Sequence, residues 1–188
     1  MAWSSCVQPS TAWPDAMIQE RFLGPGDLMV GDASMRLKTI LGSCVAVTFW
    51  DPQRQIGAMC HYLLPARPRR SEAPPDPRYG DEAIGMVTEA FRKLGIPPVR
   101  VEVRMFGGGN MFPDLLARPG RQIGAMNAQE GLRLLGERGF KVRFQDLEGL
   151  HSRLVVFDIA TGLVEVVRRD QPGERSGLAG KGSGRALP

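Results

Sequence analysis

Short apolar runs bounded by turn residues recur through much of this chain, and the pattern changes to a helical period twice. Strands are predicted at about 27–31 (DLMVG) and 35–40. The runs VAVTFW and QIGAMC flank the turn residues DPQR and predict one β-hairpin. Between Asp81 and Leu94, the residues Ile84, Val87, Phe91 and Leu94 recur at helical spacing, Asp81 suits a first turn, and Gly95 and Pro97 end the helix. Residues 99–105 alternate strictly and predict a half-buried strand running into Phe106-Gly107-Gly108-Gly109-Asn110. A second helix is predicted over 127–138, with Asn127 and Glu130 at capping-box spacing and Gly139 closing it. Strands follow at about 140–146, 153–158 and 163–168, the last two joined at Ala160-Thr161-Gly162. Sheet segments with two interspersed helices predict an α+β or α/β fold, a layered sandwich of mixed β-sheets.

Outside residues 18–170 the periodicity fails. Residues 1–17 are rich in Ser, Pro and Trp and are read as a tail; 171–188 are Gly/Ser-rich and are read as a disordered tail. Residues 65–80 hold five prolines and are read as a loop, either plain or a mobile lid over a neighbouring site. With 188 residues, 43% hydrophobic and 23% charged, the chain is long and apolar enough for one globular core. A net charge of +4, partly placed at Arg67–Arg70 and in the C-terminal tail, is too weak for a dedicated nucleic-acid binder. No run approaches the ~20 apolar residues of a membrane span. The first basic residue is Arg21 and no apolar block follows a charged start, so no secretory leader is expected. Three cysteines at unpatterned spacing point to a reducing compartment, the cytoplasm.

The hairpin carries the chemistry. A four-residue loop at Asp51–Arg54 places Trp50 opposite Gln55 and Cys44 opposite His61, with Cβ atoms roughly 4.5–5.5 Å apart. A thiol and an imidazole at that range form a nucleophile–base unit. Gly42 and Ser43 make a turn just before the cysteine, whose backbone N–H groups suit an oxyanion. The imidazole is expected to take the thiol proton, leaving a thiolate–imidazolium pair with a lowered thiol pKa. Cys60 adjoins His61 and should face the opposite side of the sheet, which disfavours a Cys44–Cys60 disulfide. Thr39, Ser43 and the more remote Asn110 are the candidates for orienting the imidazole. No CxxC or HxxxH spacing exists, so neither a metal nor a cofactor is expected. The Gly107–Gly109 run lacks a following Lys-Ser/Thr and reads as a tight turn, not a phosphate loop. Gly107, Gly108 and Asn110 are candidates for lining the site, and His151 reads as a surface loop residue.

The ordered set LGSCVAVTFWDP, GAMCHYLLP, RYGDEAI, FGGGNMF and VVFDIATG resembles the chemoreceptor glutamine deamidases of bacterial chemotaxis, the CheD family, over about residues 24–168. The resemblance implies a Cys–His–Thr amidohydrolase that converts glutamines on receptor cytoplasmic helices to glutamate, with Cys44 as nucleophile and His61 as base. Family members often carry the threonine six positions before the cysteine. Here that place is Lys38, and Thr39, five before, is the candidate. The family usually lacks a cysteine where Cys60 stands, and it tends to read Ile-Gly-x-Arg-Asn where this chain has Ile123-Gly124-Ala125-Met126-Asn127. The resemblance also implies a CheC-type phosphatase as a possible partner, and the alternative to an enzyme is an adaptor binding such a phosphatase or receptors.

Overall fold

The structure is a computed structural model and describes residues 18–68, 73–111, 123–169 and 185–187. It stacks three layers: a five-stranded sheet, a second five-stranded sheet and a pair of helices. The outer sheet contains β1 (Gln19–Phe22), β3 (Met35–Leu41), β8 (Ser152–Asp158), β9 (Val164–Arg169) and β10 (Arg185–Leu187) in that order. The central sheet runs β2 (Leu28–Gly31), β5 (Ile56–Tyr62), β4 (Val45–Asp51), β6 (Glu102–Gly107) and β7 (Lys141–Leu147). Both sheets are mixed: β1 runs parallel to β3 and β6 parallel to β7, while the other neighbours are antiparallel. The α+β sandwich with two main helices is therefore the observed architecture.

Strand parity sorts the core into two seams. Val45, Val47 and Phe49 on β4, with Cys60 and Tyr62 on β5, face α1 (Gly80–Lys93) and α2 (Ile123–Glu137). Ala46, Met59 and Phe106 face the outer sheet and pack against its Leu37, Leu41, Val155, Phe157 and Val164. The central sheet is thus covered on both faces. That corrects the expectation of a half-buried strand at 99–105: residues 98–100 form a short 3-10 turn, and β6 is buried on both sides. Arg104, on the supposed polar face, is buried between the sheets and donates to the Gly162 carbonyl at 2.8 Å.

Three other expectations shift. Gln19–Phe22, exposed along its whole length and without alternation, is a strand because it pairs with β3. Leu94 lies just past α1 and is 41% exposed, since Gly95 at φ +68° ends the helix before that position can turn inward. Asn127 is not a cap: α2 begins at Ile123, and Asn127 lies buried inside it. Of the expected tails, 1–17 and most of 171–188 fall outside the described residues, whereas Arg185–Leu187 pair with β9.

The Gly107–Gly109 run is a close backbone approach. Gly108 N–H donates to the Cys44 carbonyl and Gly109 N–H to the Gly42 carbonyl, each at 2.8 Å. A Cβ on Gly107, at φ +107°, would stand 2.2 Å from the Cys44 carbonyl oxygen. Gly107→Ala is therefore expected to destabilise by at least about 1–3 kcal/mol from backbone strain alone. Gly136→Ala, in α2 with no atom within 4 Å of the added methyl, should instead stabilise by about 0.4–1 kcal/mol. Thermal melts of both variants check this; equal melting temperatures would contradict it.

Candidate active site

The hairpin exists, but its register differs from the simple count. Asp51 stays in β4 opposite Ile56, because its buried carboxylate pairs with Arg100 and accepts the Gln53 N–H at 3.3 Å. The loop becomes residues 52–55, closed by Gln55 in the left-handed region at φ +51°. Ala46, not Cys44, consequently stands opposite His61. The pairing moves by two residues, so every side chain keeps its face. Cys44 precedes Ala46 by two, and its carbonyl continues the ladder on the β6 side by accepting from Gly108. Cys44 and His61 are therefore diagonal neighbours on one face, a relation that spans ~7–8 Å between backbones and lies within reach of an imidazole.

His61 is held on three sides. Its backbone N–H donates to the Asp27 carbonyl at 2.9 Å and its carbonyl accepts from Gly26 N–H at 2.7 Å. Its ring Nδ1 lies 2.8 Å from Thr39 Oγ1. The Thr39 hydroxyl donates to the Leu23 carbonyl at 2.7 Å, so its one proton is committed there. Thr39 can then only accept, and the ring proton belongs on Nδ1. The lone pair of a neutral imidazole is left on Nε2, which is buried and has no hydrogen-bond partner among the described residues. Thr39 comes from β3 of the outer sheet and His61 from β5 of the central sheet, both on inward faces. Lys38, the residue six before the cysteine, faces outward and donates to Glu20 at 2.7 Å.

Cys44 is half-buried, whereas Cys60 is fully buried in the helix-side seam. Burial pushes the Cys44 thiol above its ordinary value, with its own backbone N–H acting in the opposite direction. Burial pushes the His61 imidazole down; the Leu23 carbonyl and the Asp27 charge act the other way and are smaller. Burial thus acts against the charged form of each group. Both directions run against the expected thiolate–imidazolium pair with a lowered thiol pKa, because desolvation disfavours both charged forms. Cys60 is pushed up to about 12 by the same cause.

The cysteine turn is clamped from α2. Asn127 Nδ2 donates to the Leu63 carbonyl at 2.8 Å and the Ser43 carbonyl at 3.2 Å, and the Asn127 carbonyl accepts from Tyr62 Oη at 2.8 Å. Among the described residues, neither Ser43 nor Cys44 N–H donates to a backbone carbonyl. A pocket of about 360 Å³ opens on this turn, lined by Ser43, Cys44, Leu63, Leu64, Arg78 and Tyr79. Gly107 and Gly108 do not line it; they lie buried beneath Cys44 as its backbone support. Asn110 is fixed further off by its N–H to the Gly149 carbonyl at 2.8 Å. His151 sits partly buried in its loop, where its carbonyl accepts from Arg153 at 3.1 Å. Leu23, Arg78 and Tyr79 were not singled out from the sequence, although the RYGDEAI match contains the last two, and Asn127 was read only as a helix cap and within the Ile-Gly-x-Arg-Asn comparison.

Residues 63–168 match the family model described as CheD chemotactic sensory transduction. The chain is 42% identical over 142 residues to the "Probable chemoreceptor glutamine deamidase CheD 2" of Albidiferax ferrireducens, covering 75% of this chain and 82% of that protein. It is 41% identical over 158 residues to the "Probable chemoreceptor glutamine deamidase CheD" of Pseudomonas syringae pv. syringae, covering 84% and 88% respectively. Among solved structures, the hypothetical protein YfiH of Bacillus licheniformis aligns with a TM-score of 0.43 at 15% identity, over 63% of this chain and 49% of that one.

The direction of the Cys44 shift has a direct chemical consequence. In a Cys6→Ser variant, alkylation of Cys44 by iodoacetamide should rise with pH through and beyond the ordinary thiol range of ~8.5. Cys60 should stay unmodified until the protein unfolds. A Cys44 rate already on its plateau at pH 7 would mean a preformed thiolate and contradict this description.

Proposed function

This chain belongs to the CheD family of chemotactic sensory transduction proteins, and we propose that it is a chemoreceptor glutamine deamidase working through Cys44, His61 and Thr39. The observation that carries the mechanism is the Thr39–His61 bond, which leaves Nε2 as the base on the face shared with a pocket-lining cysteine. The substrate glutamine enters the pocket and presents its amide carbon to Cys44 Sγ. As sulfur attacks, Nε2 of His61 takes the thiol proton, so the charge pair forms during the step and not before it. Ser43 and Cys44 N–H groups receive the developing oxyanion. The C–N bond then breaks, and the imidazolium gives its proton to the departing ammonia. Neutral His61 next removes a proton from water, hydroxide adds to the thioester, and Cys44 leaves and regains the proton. Glutamate and ammonia are the products, and no metal or redox partner enters the balance. Receptor cytoplasmic helices as substrate imply a cytoplasmic enzyme, and a CheC-type phosphatase is the partner to seek by co-purification.

Incubation with a receptor cytoplasmic fragment should raise the mass of target peptides by about one dalton per site, with release of ammonia. Cys44→Ala should abolish this, and His61→Gln should lower kcat by roughly 10²–10⁴-fold, the usual size of general acid–base catalysis. Thr39→Val should lower kcat strongly, and Thr39→Ser should restore much of it. Undiminished deamidation by Cys44→Ala sinks the mechanism; phosphatase binding without any deamidation would favour the adaptor reading.

The pH profile follows from the sign of the His61 shift. The base works only when unprotonated, and burial lowers its pKa below the ordinary ~6.5. The acid limb of kcat/KM should therefore have its midpoint below ~6.5, with a plateau through neutrality. A midpoint above 7 would contradict a buried, neutral base.

A further inference from the structure

The pocket beside Cys44 has apolar walls on most sides, made by Leu63, Leu64 and Tyr79, and one charged group, Arg78. The segment bearing Arg78 and Tyr79 belongs to the Pro-rich stretch, yet where it reaches the pocket it is fixed at both ends. Arg78 and Leu64 are joined through backbone, with the Arg78 carbonyl accepting from Leu63 and Leu64 N–H at 2.9 and 3.1 Å. Further out, Arg67 Nε lies 2.6 Å from Glu82 on α1, and Glu82 also accepts the Asp76 N–H at 2.6 Å. The Arg67 guanidinium lies 5.2 Å from the Tyr79 ring centroid, over the ring. The rim is therefore a rigid wall built before substrate arrives.

On that wall Arg78 is held and incompletely used. Its Nε and Nη2 donate to a single oxygen, Oδ2 of Asp76, at 2.8 and 2.5 Å. A guanidinium has five N–H donors, so three remain for another acceptor. The side chain is 63% exposed, while Asp76 beneath it is 22% exposed. Its stem lies on the turn that holds His61: a Cβ on Gly26 would meet Arg78 Cγ at 2.7 Å, and Gly26 N–H is the donor to the His61 carbonyl. Asp76 thus orients the fork, and Arg78 lines the pocket that a substrate chain must occupy.

Resting on the deamidase reading, we propose that Arg78 is a specificity-determining residue that selects target glutamines with an acidic side chain close by on the substrate surface. A carboxylate is the acceptor that a planar fork with spare donors binds best. An uncharged side chain at the same place would bind this rim less well than a carboxylate.

The test uses full-length enzyme and a receptor cytoplasmic fragment whose modified glutamine is first mapped by peptide mass spectrometry. Residues within one helical turn of that glutamine are changed in turn to Glu, Gln or Lys, and kcat/KM is measured for wild type, Arg78→Gln and Arg78→Glu. At one or more positions wild type should prefer Glu over Gln by about two- to five-fold, the range of an exposed ion pair. Arg78→Gln should erase the preference, and Arg78→Glu should turn it toward Lys. A loss of activity equal for all three flanking residues would mean a merely structural role and overturns the inference. Identical preferences in wild type and Arg78→Glu overturn it too, while leaving the deamidase reading intact. No mass shift in any fragment with wild type would overturn both.

Discussion

The hydrogen bond between Thr39 and His61 joins the two sheets at the one point where chemistry is needed. Thr39 reaches inward from the outer sheet and His61 from the central one. Because the threonine proton already serves the Leu23 carbonyl, the bond also decides which imidazole nitrogen keeps its proton. A sheet-to-sheet contact therefore favours one tautomer, and in the proposed mechanism that tautomer supplies the base. Any shift of one sheet relative to the other would leave the buried Nδ1 of His61 without its partner, at a cost of about 1–3 kcal/mol. The packing of the sandwich and the readiness of the base are in this way the same constraint.

The proposed nucleophile is positioned by different means. Cys44 lies on no rigid element; it sits in the bend leading into β4. Its place is set by backbone contacts from below, where Gly108 and Gly109 bind the turn, and by Asn127 from α2. Only glycine permits the approach at Gly107, since any side chain would strike the Cys44 carbonyl. A flexible sequence, Gly-Ser-Cys, is thus held still by neighbours 64 to 84 residues away from their partners in sequence. The same burial acts against charge on both members, and in the proposed mechanism the charge pair forms only during attack on the substrate.

Much of this was legible in the sequence because it depends on parity. The hairpin, the shared face of Cys44 and His61, and the opposite face of Cys60 all follow from a period of two, and a register error of two residues left them untouched. The register itself was set by the buried Asp51–Arg100 pair, which no local pattern displays. Thr39 illustrates the same logic: parity places it inward with Leu37 and Leu41, and places Lys38 outward on Glu20, whatever the spacing to the cysteine. What failed was non-local. Asn127 at capping-box spacing reads as a helix start until Ser43 and Leu63 are brought beside it. Arg104 reads as a solvent-facing residue until the outer sheet covers β6. The effect of burial on the thiol is not legible in the sequence, because proximity suggests a charge pair and does not show the cost of desolvating it.

The imidazole of His61 offers the most direct test of the whole arrangement. Protein labelled with ¹⁵N-histidine, assigned against a His151 variant, reports by two-bond nitrogen–proton correlation which ring nitrogen is protonated at neutral pH. His61 should be neutral with the proton on Nδ1, and Thr39→Val should disturb that single-tautomer signal. A proton on Nε2, or an imidazolium persisting above pH 7, would contradict the account.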